Sequence, residues 1–268
     1  MTWQDSLLRL GACSWTAKGW ERAFYQRAKR PTDFIAEYAQ RYSTVEIDAS
    51  FYALPKPETV EYWRDSTPDG FVFAAKMPQV ITHQKFLEGC GDDLQRSLDT
   101  FSLFGEKLGP LLFQFPYFAK AQGVELSSFL RRFLQFSSLL PKAGFQFAVE
   151  VRNKTWISQP LIDLFHEHNL ALALIDHPWM APPGQLFRQQ GIVTGPFLYV
   201  RWLGDRKGIE KMTTVWDKTV IDRTRDMERW APPIKEVLDR GVRVYGYVNN
   251  HYSGYAPADI EFLAQALK

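Results

Sequence analysis

Short apolar runs alternate with amphipathic stretches along the whole chain. The runs occupy residues 8–15, 45–52, 71–78, 111–116, 145–152, 170–176, 197–204 and 242–250, and each ends in polar or aromatic residues. Their length and apolar character predict strands. The intervening segments carry apolar residues at helical spacing. Residues 32–42 place Phe34, Ile35, Tyr38 and Ala39 on one face behind Pro31 and Thr32, and residues 58–66 begin after Pro57. Residues 92–108 open with two acids, favourable at a helix start, and carry Leu94, Leu98, Phe101 and Leu108. Further helices are expected over 126–138, 159–168, 227–240 and 258–267, the last behind Pro257.

Strand and helix in repeated alternation define an α/β protein on a parallel sheet. Eight strands favour a single (β/α)8 TIM-type barrel spanning residues 1–268, regular or with irregular elements. An open nucleotide-binding sheet is disfavoured, because Gly11, Ala12, Cys13, Ser14 and Trp15 follow the first strand in place of a GxGxxG fingerprint. The longest polar connection, residues 204–225, is a candidate lid or an ordinary surface excursion.

In such a barrel the carboxyl ends of all strands meet at one mouth. Glu46, Asp48, Lys76, Gln114, Glu150, Arg152, Asp176, Arg201 and Asn249 stand at those ends. Alternation along a strand puts Glu46 with Asp48, and Glu150 with Arg152, on one face. The bland reading is a ring of salt bridges joining strand ends. Against it, carboxylates, an amine, guanidinium groups and amides from so many strands are what a polar substrate requires.

The inferred charges nearly balance, with Glu46, Asp48, Glu150 and Asp176 opposing Lys76, Arg152 and Arg201. A bare divalent-metal site would have fewer cations beside it, and a plain phosphate clamp would be more basic. The mixture suits acid/base chemistry on a substrate with an anionic group. Of the histidines, His83, His177 and His251 follow strand ends, while His166 and His168 lie on a helix and share no face. His83 is a candidate general acid, metal ligand or loop hydrogen-bonding group. Nine tryptophans are many for this length, and Trp15, Trp20, Trp156, Trp179 and Trp202 fall near strand ends. Most are read as packing, with Trp15 alone as a site wall.

Composition narrows the class further. The 268 residues fit one barrel, which needs about 250. Hydrophobic residues at 46% and charged residues at 23% exclude a disordered chain. A net charge of +2 lacks the basic excess of most nucleic-acid domains, although a local patch stays open. Cys13 and Cys90 form no CxxC pair and sit at no zinc-finger spacing, which argues against a disulfide framework or structural zinc. The start, Met1 to Asp5, has an acid where a secretory signal has basic residues, and no segment approaches the roughly 20 apolar residues of a membrane helix. A cytoplasmic protein without membrane contact is expected, which makes the sequon at Asn153, Lys154 and Thr155 a chance match. Oligomeric state is not legible.

Several blocks together carry a resemblance. They are Gly11 to Trp15, Val45 to Tyr52, Phe73 to Pro78, Thr82 with His83, Leu112 to Pro116, Val149 to Arg152 and Tyr247 to His251. In order and over nearly the full chain, they resemble the YecE-like family, catalogued as domain of unknown function 72. The resemblance implies a TIM-type barrel and no established reaction. It carries over to Glu46, Phe51, Tyr52, Lys76, Gln114, Glu150, Arg152, Arg201 and Asn249. Where the family often reads Arg-Leu-His-Gly after the seventh strand, this chain has Arg201, Trp202, Leu203 and Gly204, without that histidine.

The functional expectation is a hydrolase or lyase acting on a small anionic or phosphorylated molecule. Glu46 or Glu150 would move the proton, with Lys76 and His83 completing the catalytic set. Arg152 and Arg201 would join Lys76 in binding the anion. Gln114 and Asn249 would orient the substrate, with Trp15, Asp48, Tyr52 and Asp176 around it. No cofactor is identified. One alternative is a metal-dependent enzyme resembling apurinic endonucleases or xylose isomerase, its ion on Glu46, Asp48, Glu150 or His83; another is a non-catalytic binder of nucleic acid or a metabolite.

Overall fold

The structure, a computed structural model, describes residues 6–27 and 30–268. The first five residues, read above as unlike a secretory leader, lie outside the described residues. The strands are β1 (Leu8–Ala12), β2 (Thr44–Ile47), β3 (Val72–Lys76), β4 (Leu108–Gln114), β5 (Phe147–Glu150), β6 (Ala171–Asp176), β7 (Phe197–Trp202) and β8 (Arg243–Val248). They form one sheet of parallel ladders in the order β1-β8-β7-β6-β5-β4-β3-β2. With helices between the strands, this is the expected TIM-type barrel.

Alternation sorts the side chains by size. Ala74, Ala148, Ala171 and Ala173 point inward together with Phe197, Tyr199, Tyr245 and Tyr247, so small residues beside large ones fill a narrow interior. Val45, Ile47, Phe73, Leu111, Phe113, Val149, Leu172, Leu174 and Val200 point outward onto the helices. Helix Leu126–Ser137 answers with Phe129, Phe133 and Phe136, spaced four and three apart on its buried face. Helix Gly91–Ser102 does the same with Leu94, Leu98 and Phe101.

The seam between β1 and β2 is closed by side chains, because no ladder joins these strands among the described residues. The Tyr38 hydroxyl accepts from the Ala12 N–H at 2.8 Å and donates to the Thr44 carbonyl at 3.1 Å. Toward the other end of the barrel, Arg9 Nη1 donates to the Gly70 carbonyl at 2.7 Å and the Ser43 carbonyl at 3.3 Å. Gly11 makes the approach possible: a Cβ there would lie 2.1 Å from the Thr44 carbonyl oxygen.

Several expected boundaries shift for local reasons. The run 45–52 leaves the sheet after Ile47, where Ala49–Phe51 winds into a 3-10 turn. The helix expected over 92–108 stops at Ser102, and Gly105 turns the chain at φ 57°. The helix expected over 227–240 is two, Thr224–Glu228 and Ala231–Asp239. Pro232 and Pro233 lack the N–H groups a continuous helix needs, and they fit only a new first turn. The connection 204–225 contains a short helix, Arg206–Ile209. It is stitched down where Trp216 N–H donates to the Lys18 carbonyl at 2.8 Å, and Val220 and Ile221 N–H to the Ser253 carbonyl at 2.8 and 2.9 Å. Cys13 and Cys90 are buried thiols. Among the described residues no helix is long and apolar enough to cross a membrane.

Candidate functional site

The inward positions near the carboxyl ends of the strands form two tiers. The lower tier is a buried ion network. Arg201 on β7 donates through Nη1 to Glu150 Oε2 at 2.5 Å and through Nη2 to Glu46 Oε1 at 2.7 Å. Glu46 Oε2 also accepts the Tyr199 hydroxyl at 2.6 Å, and Glu150 Oε1 accepts Arg152 Nε at 2.9 Å. Every carboxylate oxygen in this tier has a donor. Glu46 and Glu150 are 0% exposed and Arg201 is 2% exposed. Burial opposes the charge on Glu150, but Arg201 and Arg152 outweigh it and hold its carboxyl at about 2. Burial likewise opposes the charge on Arg201, yet Glu46 and Glu150 push its pKa well up. Cys13, whose sulfur lies 4.0 Å from an Arg201 Nη, is kept a thiol by burial and by Glu46.

The upper tier faces a cavity of about 380 Å³ at the barrel mouth. Lys76 Nζ pairs with Asp48 Oδ1 at 2.9 Å and lies 4.2 Å from the centre of the Phe51 ring, a cation–π contact. The backbone beneath is tied down by Ser50, whose hydroxyl donates to the Lys76 and Ile47 carbonyls. Arg152, Gln114, Asn249 and Tyr52 line the same cavity. Asn249 Oδ1 accepts the His251 N–H at 3.0 Å, fixing the turn after β8.

His83, His177 and His251 all line this cavity. Burial, then Lys76 and Arg152, push His83 down to about 4. His177 and His251 are also lowered, first by burial and next by Arg152 and Arg206 respectively. His83 is therefore a neutral imidazole at pH 7, and the environments of His177 and His251 favour the neutral form more than water does. Thr82 Oγ1 lies 2.8 Å from His83 Nδ1 and orients that ring. His166 instead meets the Gly191 carbonyl at 2.8 Å, away from the mouth.

The geometry therefore brings together Asp48, Tyr52, Lys76, His83, Gln114, Arg152, Arg201 and Asn249 on the cavity, with Glu46 and Glu150 sealed under it. Two expected site residues are elsewhere. Asp176 shares parity with Leu172 and Leu174, which face the helices, whereas Ala171 and Ala173 face inward. Its carboxylate accepts Trp230 Nε1 at 2.8 Å and the Tyr252 hydroxyl at 2.9 Å outside the barrel, and burial raises its pKa. The pattern of large and small residues on β6 carried that signal. Trp15 is buried edge-on against Trp63 with ring centres 4.8 Å apart, so it is packing and no wall. The aromatic wall is Tyr117 and Trp179, with ring centres 6.0 Å apart. They are 49% and 60% exposed, and a sequence signal existed in their placement three residues past Gln114 and Asp176 respectively. Arg206, from the short helix after β7, completes the rim. Among the described residues no three His, Cys, Asp or Glu side chains converge as a set that could hold a metal ion.

Fold and mouth together define a TIM-type barrel protein with a polar pocket at the carboxyl ends of its strands and an ion network as its floor. The chain belongs to the family described as Protein of unknown function DUF72, whose profile matches residues 9–268. It is the YecE-like family expected from the sequence blocks. UPF0759 protein YecE of Escherichia coli (strain K12) is 39% identical over 82 residues, covering 31% of this chain and 30% of YecE. UPF0759 protein YunF of Bacillus subtilis (strain 168) is 31% identical over 145 residues, covering 51% of this chain and 47% of YunF. The chain thus spans less than half the length of either relative in these matches. A DUF72 family protein from Thermotoga maritima MSB8 shares the fold with a TM-score of 0.76 and 19% identity, covering 98% of this chain and 99% of that one.

Proposed function

We propose that this barrel is an enzyme, a hydrolase or lyase, that holds a small anionic or phosphorylated substrate in the mouth cavity and moves protons with His83. The observation that supports it most is the ordering of charge by depth. Glu46 and Glu150 are sealed at 0% exposure, while Lys76 and the Arg152 guanidinium reach the cavity with Asp48 beside them. Arg152 spends its Nε on Glu150, and no hydrogen bond to a described residue uses its two Nη groups. An anion placed between Lys76 and Arg152 gains charge-assisted hydrogen bonds from both.

The same placement tunes His83. Lys76 and Arg152 are the charges that lower its pKa after burial. An anionic substrate neutralises them and raises the imidazole toward neutrality, so binding itself creates a stronger base at the working pH. In this reading Glu46 and Glu150 are positioning residues that hold Arg201 and Arg152, because each oxygen is already bonded and neither reaches the cavity.

Calorimetric titration with methylphosphonate tests the anion site. Binding to the wild type that weakens by about 10-fold or more in Lys76→Met and in Arg152→Met supports it. Unchanged affinity in both variants would sink it. A turnover screen over phosphate monoesters tests the catalytic half: in His83→Asn, kcat is expected to fall while KM is retained, and full activity in that variant removes His83 from the chemistry.

A further inference from the structure

The mouth cavity does not end at its aromatic wall. Beyond Tyr117 and Trp179 lies a second, larger groove of about 1100 Å³, and Tyr117, Trp179 and Arg152 line both spaces. Its floor is built. Asn153 fastens the loop after β4 to the loop after β5 with paired bonds, accepting from Phe118 N–H at 2.9 Å and donating to the Phe118 carbonyl at 2.8 Å. Phe118 then stacks on Trp156 with ring centres 5.3 Å apart and planes within 17°. The dividing wall is held as well: the Trp179 ring stands edge-on to His177 at 5.0 Å, and the Trp179 backbone N–H donates to His177 Nδ1 at 3.3 Å.

We propose that this groove is a second subsite, and that the ligand is an anion whose head lies between Lys76 and Arg152 while a flat apolar ring, joined to it, packs on Trp179 and Tyr117 and extends into the groove. The inference rests on the reading of the mouth as an anion site and adds the far half of the molecule. Three features select that chemistry. Exposed aromatic faces at the junction offer stacking area at low entropic cost. The interior beyond them is apolar, with Phe118, Val124, Leu126 and Trp156. The groove's charged groups, Arg152, Lys120 and Lys154 against Glu125, disfavour a cationic tail and favour one that is neutral or acidic. A compact anion alone fills only the smaller space and leaves Tyr117 and Trp179 in water.

The test uses two probes with the same head: methylphosphonate, and 1-naphthylmethylphosphonate, which adds the ring. In the wild type the naphthyl probe is expected to bind about 10-fold tighter or better, a gain typical of one aromatic contact. In Trp179→Ala, an exposed position, the ratio of the two affinities is expected to fall toward one, and Tyr117→Ala is expected to reduce it. If methylphosphonate binds and the ring adds nothing, the subsite is wrong while the anion site stands. A ring gain that survives in both variants places the ring elsewhere and overturns the assignment. Failure of methylphosphonate to bind at all overturns the anion site and the subsite built on it.

Discussion

Arg201 and Glu150 meet inside the barrel at 2.5 Å, with 2% and 0% of their side chains exposed. A guanidinium this deep is tolerable only because carboxylates stand at both of its Nη groups. Arg201→Met leaves Glu46 and Glu150 buried without their shared cation. The expected loss is about 3–5 kcal/mol, the usual cost of breaking a buried pair from one side. Urea denaturation at pH 8 measures it. The loss is expected to shrink as pH is lowered from 8 toward about 4.5, the ordinary carboxylate value, since stranded buried carboxylates take up protons in the folded state over that window and acid then favours that state. Wild-type stability at pH 8 would show that the network does not hold the barrel together.

Glu150 gives the intact protein its own pH dependence. Its folded pKa, about 2, lies below the ordinary 4.5 because Arg201 and Arg152 overcome the burial that opposes its charge. The stabilisation is therefore complete above about pH 4.5 and is lost as pH falls toward 2, in total on the order of 3 kcal/mol. Comparing wild type with Glu150→Gln at pH 5 and at pH 2.5 reads this out. The gap between them should narrow in acid, and a constant gap counts against the pairing.

Asp259 works in the opposite sense. It is 3% exposed, accepts the Ser253 hydroxyl at 2.6 Å, and is pushed up to about 7 by burial, partly offset by Ser253 and Arg223. Between pH 4 and pH 7 the folded chain holds a proton there that the unfolded chain does not. Stability accordingly falls as pH rises through that window. Asp259→Asn should melt higher than wild type at pH 8, with little gain at pH 5; the reverse order would refute a protonated Asp259.

The barrel seam depends on one hydroxyl. Tyr38→Phe leaves the Ala12 N–H and the Thr44 carbonyl without their shared partner, at a cost of about 1–3 kcal/mol for buried groups left unpaired. Hydrogen exchange at the Ala12 amide should accelerate along with the drop in denaturation midpoint. An Ala12 amide as protected as in wild type would mean another group closes the seam.

If His83 is the base, the acid limb of kcat/KM for the proposed reaction should fall near pH 4, where the free enzyme's imidazole titrates. Loss of that limb in His83→Asn, with residual activity flat across it, is the matching signature. A limb that persists unchanged in the variant assigns it to another group.

The sequence by itself determined the eight strands, their alternation with helices, and the face that Glu46, Asp48, Glu150 and Arg152 share. Those follow from local periodicity, because a period of two and a period of 3.6 are written in neighbouring residues. Asp176 was within reach of the same reasoning, since Ala171 and Ala173 opposite Leu172 and Leu174 mark its face as outward. Depth was not legible. Whether a charge at a strand end faces the cavity or sits beneath it depends on how strands stagger around the barrel and on partners such as Glu46 and Arg201, 155 residues apart. Tertiary structure also chose Trp179 over Trp15, because both follow a strand end and only the loops decide which ring meets Trp63 and which meets solvent at the mouth. Local pattern fixes a side chain's direction; distant packing fixes its depth, its partner and its charge.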